Sequence, residues 1–168
     1  MFRKLLLYTC LFLCFYIFCS RIFSISNEKN NTTYTSTINH VVQTAEQQYG
    51  IPYQYGGTSS KGFDCSGLVY YSFQKSGIAV PRSSKGYANF GKTITLANAQ
   101  KGDVIVFKDT NPKKKTIGHV GIVLSNMDEK ITFIHSSSSK RNNGVVATKL
   151  FESKHYQKRF MKIVRINI

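Results

Sequence analysis

The spacing of the hydrophobic positions changes near residue 100 of the chain. Residues 39–50 carry apolar side chains at helical spacing and end at a glycine, which predicts a helix that stops at Gly50. Residues 64–77 show a second apolar face of this kind and end at Gly77. A shorter helix is expected over residues 84–90. The first half of the chain is therefore predicted to be helical with glycine-rich loops.

The second half of the chain alternates β-rich runs with polar turns. The β-rich runs are 102–108, 118–125, 130–137, 144–150 and 159–168. Helices that precede a series of strands indicate an α+β domain, in which the helices pack against an antiparallel sheet. We detect no internal repeat and no low-complexity segment.

The first 26 residues have the pattern of a secretory signal, with Arg3 and Lys4 before an apolar run. That run is short for a spanning helix, which needs roughly 20 apolar residues. Small residues favour cleavage after Ser26. The alternatives are a lipidated Cys19 in a lipoprotein, or an uncleaved anchor. Export to the periplasm or cell envelope, or secretion, is expected on any of these routes.

The domain organisation follows from a change in polarity after this leader. Residues 27–38 are polar and are predicted to form a flexible linker. Residues 39–168 then form one domain, which is a length that can bury a core. The chain has 12 Phe and 10 Tyr, a content that excludes a fully disordered protein.

Basic residues outnumber acidic ones by 23 to 8, so the formal net charge is +15. Removing residues 1–26 takes away three basic residues and no acidic residue, so the excess belongs to the domain. A basic surface suits nucleic acid, anionic lipid or an acidic envelope polymer. No nucleic-acid-binding motif is present, so nucleic acid is not an expected partner and membrane contact is expected only through the N-terminal segment. The alternative is that the lysines only maintain solubility.

Cys65 is the only cysteine outside the first twenty residues. It is either a small buried hydrophobic residue or a catalytic thiol. Asp64 is a plausible N-cap for the helix that follows, and a helix start lowers a thiol pKa. His119 and His135 lie in predicted strands that could bring them to one face, as a base and the group that orients it. For either histidine alone, a hydrogen-bonded structural role is the more frequent explanation.

Several stretches match a known family in the order in which they occur. They are "GIPYQYGG" (50–57), "FDCSGLVYYSF" (63–73), "VPRSS" (80–84), "KGDVIVF" (101–107), "GHVGIVL" (118–124) and "FIHSSS" (133–138). With them the chain resembles the NlpC-type family of papain-like cell-wall cysteine peptidases. The resemblance implies a papain-like fold, in which the helix that begins at the cysteine packs on a central antiparallel sheet of about five strands.

The resemblance also implies roles for particular residues. Cys65 corresponds to the nucleophile, His119 to the general base and His135 to the residue that holds the imidazole. Tyr53 matches a tyrosine near the nucleophile, where a phenol could stabilise an oxyanion. The alternative for Tyr53 is an aromatic side chain that only packs. Asp64 and Ser66 correspond to residues of the substrate groove, but both could simply cap the helix. Arg82 could contact a substrate carboxylate or brace its loop, and bracing is favoured.

The implied activity is hydrolysis of amide bonds in peptidoglycan stem peptides, with the D-glutamyl to diamino-acid bond as the leading target. No metal and no cofactor are implied. One alternative is an amidase or acyltransferase on the same scaffold. Others are an antibacterial toxin with the same chemistry and a catalytically idle module that binds the envelope.

Overall fold

The computed structural model describes Arg21 and residues 31–111, 113–127 and 130–168. The chain divides into two units, Met1–Ser36 and Thr37–Ile168. Apart from Arg21, the predicted leader lies outside the described residues, and so do its three cysteines. The boundary at Thr37 lies close to the start that the sequence predicts for the domain.

The first helix, α1, is longer than predicted. The described chain is helical over residues 31–46, and the turn that follows reaches Gly50, whose φ is +80°. Residues 31–38 are thus helical, whereas the sequence predicts a flexible linker there. The apolar Ile38 explains part of the difference, because it is buried and extends the apolar face of the helix by one turn.

The second helix, α2 (Cys65–Gln74), confirms the predicted helix that begins at the cysteine. A small hairpin precedes it, formed by β1 (Thr58–Ser59) and β2 (Gly62–Phe63). The predicted third helix is a 3₁₀ turn, Ser84–Ala88, which buries Tyr87. The loops beside these elements carry two of the family-like stretches, residues 50–57 and 80–84.

Six strands of the described chain form one antiparallel sheet in the order β3-β8-β4-β5-β6-β7. Their bounds are β3 Lys92–Ile94, β4 Val104–Lys108, β5 Ile117–Met127, β6 Lys130–Ser138, β7 Asn143–Lys149 and β8 Phe160–Arg165. The five predicted strands are confirmed. The sixth, β3, is a short and largely exposed edge strand, so it lacks the apolar run by which the others are recognised.

The sheet is covered on both faces, as the alternation within β4 demonstrates. Val104 and Val106 join a core that includes apolar residues of α1 and α2, whereas Ile105 and Phe107 join a second core on the opposite face. Successive side chains of a strand point to opposite faces, so a strand buried on both faces is apolar throughout. This explains the unbroken run "VIVF" in the sequence.

A short helix, α3 (Lys154–Arg159), precedes the last strand. The sequence predicts this stretch as basic surface and begins the strand at residue 159, one residue before β8. A 3₁₀ turn, Leu150–Glu152, connects β7 to it. Within the part of the chain that the structure describes, no helix has the length and apolar character needed to cross a bilayer.

Candidate active site

Cys65 is the first residue of α2, and Asp64 caps the helix. The backbone of Asp64 is extended, and its Oδ1 accepts a hydrogen bond of 2.6 Å from the Gly67 N–H. Gly67 is required here, because a side chain at this position would collide with the carbonyl oxygen of Gly57. The cap and the close approach of this loop place the cysteine at a helix start beside the glycine-rich turn.

Asp64 is also bound by four further donors. Its two oxygens accept hydrogen bonds from the Gly56 N–H (2.9 Å), Ser66 Oγ (3.0 Å) and both terminal nitrogens of Arg82 (3.1 and 2.9 Å). A carboxylate offers about four lone-pair sites. The capping alternative for Asp64 and the bracing alternative for Arg82 therefore fit the structure, and a substrate amino group would have to displace an existing partner of Asp64.

His119 and His135 lie on the adjacent strands β5 and β6 and contact each other. His119 Nε2 is 3.0 Å from His135 Nδ1, and His135 Nε2 is 3.0 Å from Thr148 Oγ1 on β7. The chain of contacts leaves Nδ1 as the free nitrogen of His119. The sequence predicts that the two histidines lie on one face, and the structure brings them together; it does not single out Thr148.

A glycine and an aromatic wall hold this pair in place. A Cβ at Gly121 would lie 2.7 Å from the Ile134 carbonyl oxygen and 3.1 Å from His135 Cβ, so only glycine lets β5 and β6 approach this closely. The Tyr156 ring packs against both imidazoles, with centroids 5.8 Å from His119 and 5.0 Å from His135. The rigid surroundings limit rotation of both rings.

Burial governs the ionisation of the site. It lowers the pKa of His119 well below the ordinary value, with neighbouring positive groups adding to the shift, and it lowers the pKa of His135 to about 3. Burial likewise raises the pKa of Cys65, and hydrogen bonds from the backbone of Val120 and Ser66 offset only part of that shift. The expectation of a lowered thiol pKa is therefore wrong, because desolvation outweighs the helix start.

Two cavities meet at Cys65. One, of about 420 Å³, is lined by His119 together with Arg159 and residues of β6. The other, of about 450 Å³, is lined by Asp64, Ser66 and Arg82 and does not include His119. Tyr53, like Cys65, lines both cavities. Burial raises the pKa of the Tyr53 phenol, and the nearby Cys65 raises it further, so the hydroxyl stays protonated.

Three residues of α3 line the cavity on the His119 side, Tyr156 and the pair His155 and Arg159. The sequence places His155 in a basic surface stretch and does not single out Arg159. Their spacing of four residues was the available signal, since such residues share one face of a helix. His40, by contrast, lies 2.8 Å from Ser76 Oγ and takes no part in the site.

The chain belongs to the NlpC/P60 family, whose model matches residues 50–165. The gamma-D-glutamyl-L-lysine dipeptidyl-peptidase of Bacillus subtilis is 37% identical over 86 residues, which cover 51% of this chain and 29% of that protein. The murein DD-endopeptidase MepS/murein LD-carboxypeptidase of Escherichia coli K12 is 31% identical over 118 residues, which cover 70% of this chain and 56% of that protein.

The fold is similar to that of a solved NLP/P60-family protein from Staphylococcus aureus, described as similar to lipoprotein. The TM-score is 0.65 at 30% identity, and the similar region covers 79% of this chain and 42% of that one. The chain spans less than two thirds of the length of each of these three proteins. The region that matches the family model includes the cysteine helix and both histidine strands.

Proposed function

We propose that this chain is a cysteine peptidase that hydrolyses amide bonds in peptidoglycan stem peptides. The observation that carries the proposal is one cavity lined by Cys65 and His119, with the far nitrogen of His119 held by His135. A nucleophile, a base and a group that orients the base are the parts that acyl transfer requires. Membership of the NlpC/P60 family supports the same reaction class.

The hydrogen-bond chain assigns a direction to proton transfer. For His119 Nδ1 to accept a proton, Nε2 must carry hydrogen and donate to His135 Nδ1. His135 Nε2 then carries hydrogen and donates to Thr148 Oγ1, 3.0 Å away. Each histidine is thereby held in one tautomer. The low pKa of both imidazoles keeps them neutral before substrate binds.

The reaction then proceeds in two halves. As the Cys65 sulfur bonds to the carbonyl carbon, its proton passes to His119, and the oxyanion accepts hydrogen bonds from the Tyr53 hydroxyl and the Cys65 N–H. The C–N bond breaks as His119 returns the proton to the leaving amine. Water then attacks the thioester with His119 as base, which releases the carboxylic acid and restores the thiol.

The target bond is the D-glutamyl to diamino-acid linkage. The support is the Bacillus subtilis relative, whose name gives a γ-D-glutamyl–L-lysine bond and which is 37% identical over the matched region. Asp64 and Ser66, on the acyl side, would shape the groove for the preceding part of the stem. Arg82 would keep Asp64 in place there.

The test is to incubate the purified full chain with stem-peptide fragments and identify the products by mass spectrometry. We expect cleavage after D-glutamate by the wild type and a loss of about 10⁴-fold or more in kcat/KM for Cys65→Ala. Absence of stem cleavage across several peptidoglycan chemotypes would contradict the peptidase assignment. Equal activity of the Cys65→Ala variant would instead remove Cys65 as the nucleophile.

We also propose that the enzyme is exported and that its basic surface contacts an anionic envelope polymer. The leader-like pattern of residues 1–26 and the excess of 23 basic over 8 acidic residues support this. Electrostatic contact weakens as salt screens the charges. Binding of the purified chain to intact sacculi should therefore fall between about 0.05 and 0.5 M NaCl; salt-independent binding would contradict the proposal.

A further inference from the structure

Arg159 is a cation held in a fixed orientation at the wall of the catalytic cavity. Its Nε and Nη2 donate to the Lys108 carbonyl oxygen at 3.0 and 2.7 Å, and its Nη1 donates to His155 Nε2 at 2.6 Å. The guanidinium carbon also lies 5.8 Å from the centre of the Tyr156 ring. Because these contacts fix its orientation, the guanidinium is preorganised and loses little freedom when a ligand binds.

No carboxylate forms an ion pair with Arg159 among the described residues, although Arg82 and Arg165 each have one. Its partners are a carbonyl oxygen and an imidazole, which supply no negative charge. Burial lowers the pKa of Arg159, and the more distant Tyr156 and Asp109 offset part of that shift. An anion that entered the cavity would place a negative charge in direct contact with the guanidinium.

The cavity also holds a carboxylate, Asp109, which is not paired with Arg159. One oxygen of Asp109 accepts a hydrogen bond of 2.9 Å from the Asn111 N–H. Among the described residues, no ion pair joins Asp109 to a basic group, and this includes Arg159 on the same wall. Asp109 and Arg159 attract each other at a distance but make no direct ion pair. Opposite charges that line one cavity without direct contact suit a ligand that carries both charges.

This cavity lies on the leaving-group side of the nucleophile. Cys65 lines both cavities, but His119, which must protonate the leaving amine, lines only this one. The residue that follows the scissile bond must therefore occupy the space between His119 and α3. In a stem peptide cut after D-glutamate, that residue is the diamino acid.

We propose that this cavity binds the charged end of the diamino acid, with Arg159 on a free carboxylate and Asp109 on the adjacent ammonium. This inference rests on the proposed function. Such a cavity selects a diamino acid whose side chain ends in both a carboxylate and an ammonium, such as diaminopimelate. It disfavours one that ends in an amine alone or whose carboxylate is amidated. The selectivity would then depend on two residues outside the six stretches that carry the sequence resemblance, although both lie within the residues 50–165 that match the family model.

The test compares two stem peptides that both end in diaminopimelate. They differ only at its side-chain carboxylate, which is free in one peptide and a carboxamide in the other. Full-length enzyme is assayed on each, and kcat/KM is measured from the released products. A charge-assisted hydrogen bond to the carboxylate should favour the free acid by about tenfold to a hundredfold. In Arg159→Gln the ratio of the two kcat/KM values should fall towards one.

Lys158→Gln is the matched control, because it removes the same charge from the same helix at an exposed residue that does not line the cavity. It should leave the ratio unchanged. Arg159→Lys keeps the charge without the planar fork and should retain part of the preference. The wild-type ratio needs no variant, so misfolding of Arg159→Gln does not remove the test.

The outcomes separate the two proposals. A wild-type ratio near one overturns this inference and leaves the peptidase assignment intact. A high ratio that persists in Arg159→Gln excludes Arg159 as its cause. Failure to cleave either peptide, or any other stem, overturns the proposed function itself.

Discussion

The two cavities beside Cys65 differ in how their charged residues are paired. On the acyl side, Asp64 and Arg82 are bonded to each other at 2.9 Å, and three further donors complete the hydrogen bonding of the carboxylate. On the leaving-group side, Arg159 and Asp109 line the cavity without an ion pair between them among the described residues. The first two charges are paired directly with each other, whereas the second two make no direct ion pair among the described residues.

The difference teaches that a charged residue in a cleft is not by itself a substrate contact. Asp64 is 9% exposed and caps the helix that presents the nucleophile, so its cost of burial is met by partners within the protein. Arg159 has its geometry fixed by three hydrogen bonds, but none of these direct partners is a carboxylate. The charge of the direct partners, rather than residue type, separates the two cases.

The largest expected contrast concerns stability. Asp64→Ala removes the helix cap and leaves Arg82 without a carboxylate, so the free energy of unfolding should fall by about 2–4 kcal/mol. Arg159→Gln breaks no ion pair of the described chain and should cost less than about 1.5 kcal/mol. Urea unfolding followed by circular dichroism measures both, since the chain contains no tryptophan for fluorescence.

Ser83→Ala is a suitable control for that comparison, because it alters the same loop without touching the ion pair. A loss below about 1 kcal/mol for Asp64→Ala would place the aspartate among the ligand-binding groups instead. The charged residues of both cavities would then be available to bind the substrate.

The next prediction concerns the ionisation of Cys65, a residue that lines both cavities. Because burial raises its pKa, the thiolate fraction, and with it the rate of alkylation by iodoacetamide, should rise roughly tenfold per pH unit from pH 6 to 8. The measurement is modification of the peptide that contains Cys65, resolved by mass spectrometry from the other three cysteines. A rate that is already level over this range would indicate a preformed thiolate–imidazolium pair.

The smallest effect is expected at Thr148, whose hydroxyl contacts His135. Thr148→Val removes the hydroxyl that accepts from His135 and keeps the shape of the side chain, so kcat should fall about threefold to tenfold. KM should change little, because Thr148 does not line either cavity. Steady-state kinetics on a stem peptide gives both values.

Thr93→Val, on the edge strand, is the matched control and should leave kcat unchanged. An increase in KM with constant kcat in Thr148→Val would show that the residue shapes the cavity rather than the imidazole. Unchanged kinetics in both variants would remove Thr148 from the proton-transfer chain.

The sequence predicts most of the fold because its signals are local. The α2 helix, its aspartate cap and the five longer strands follow from periodicity, turn residues and apolar runs. The edge strand β3 and the helical residues 31–38 are missed, since their side chains are mostly polar and exposed. Their structure is decided by pairing with β8 in one case and by continuation of α1 in the other.

The site is predicted only where its residues lie in distinctive motifs. Cys65, His119 and His135 stand out for that reason, and the structure brings the two histidines into contact. Thr148 and Arg159 lie in ordinary-looking segments, and their contacts with the site depend on sheet register and on the placement of α3. The pKa of Cys65 was mispredicted because the sequence contains no measure of how deeply the thiol is buried.

The hydrogen-bond chain from His119 to Thr148 has a consequence for how this molecule can be monitored. Cys65 lies in the first half of the chain, whereas the proposed base, the imidazole that contacts it and the supporting hydroxyl come from three later strands. Loops this long must all close before the constellation exists. A partly folded chain therefore has the thiol without its proposed base, and turnover of a substrate reports completed assembly of the sheet.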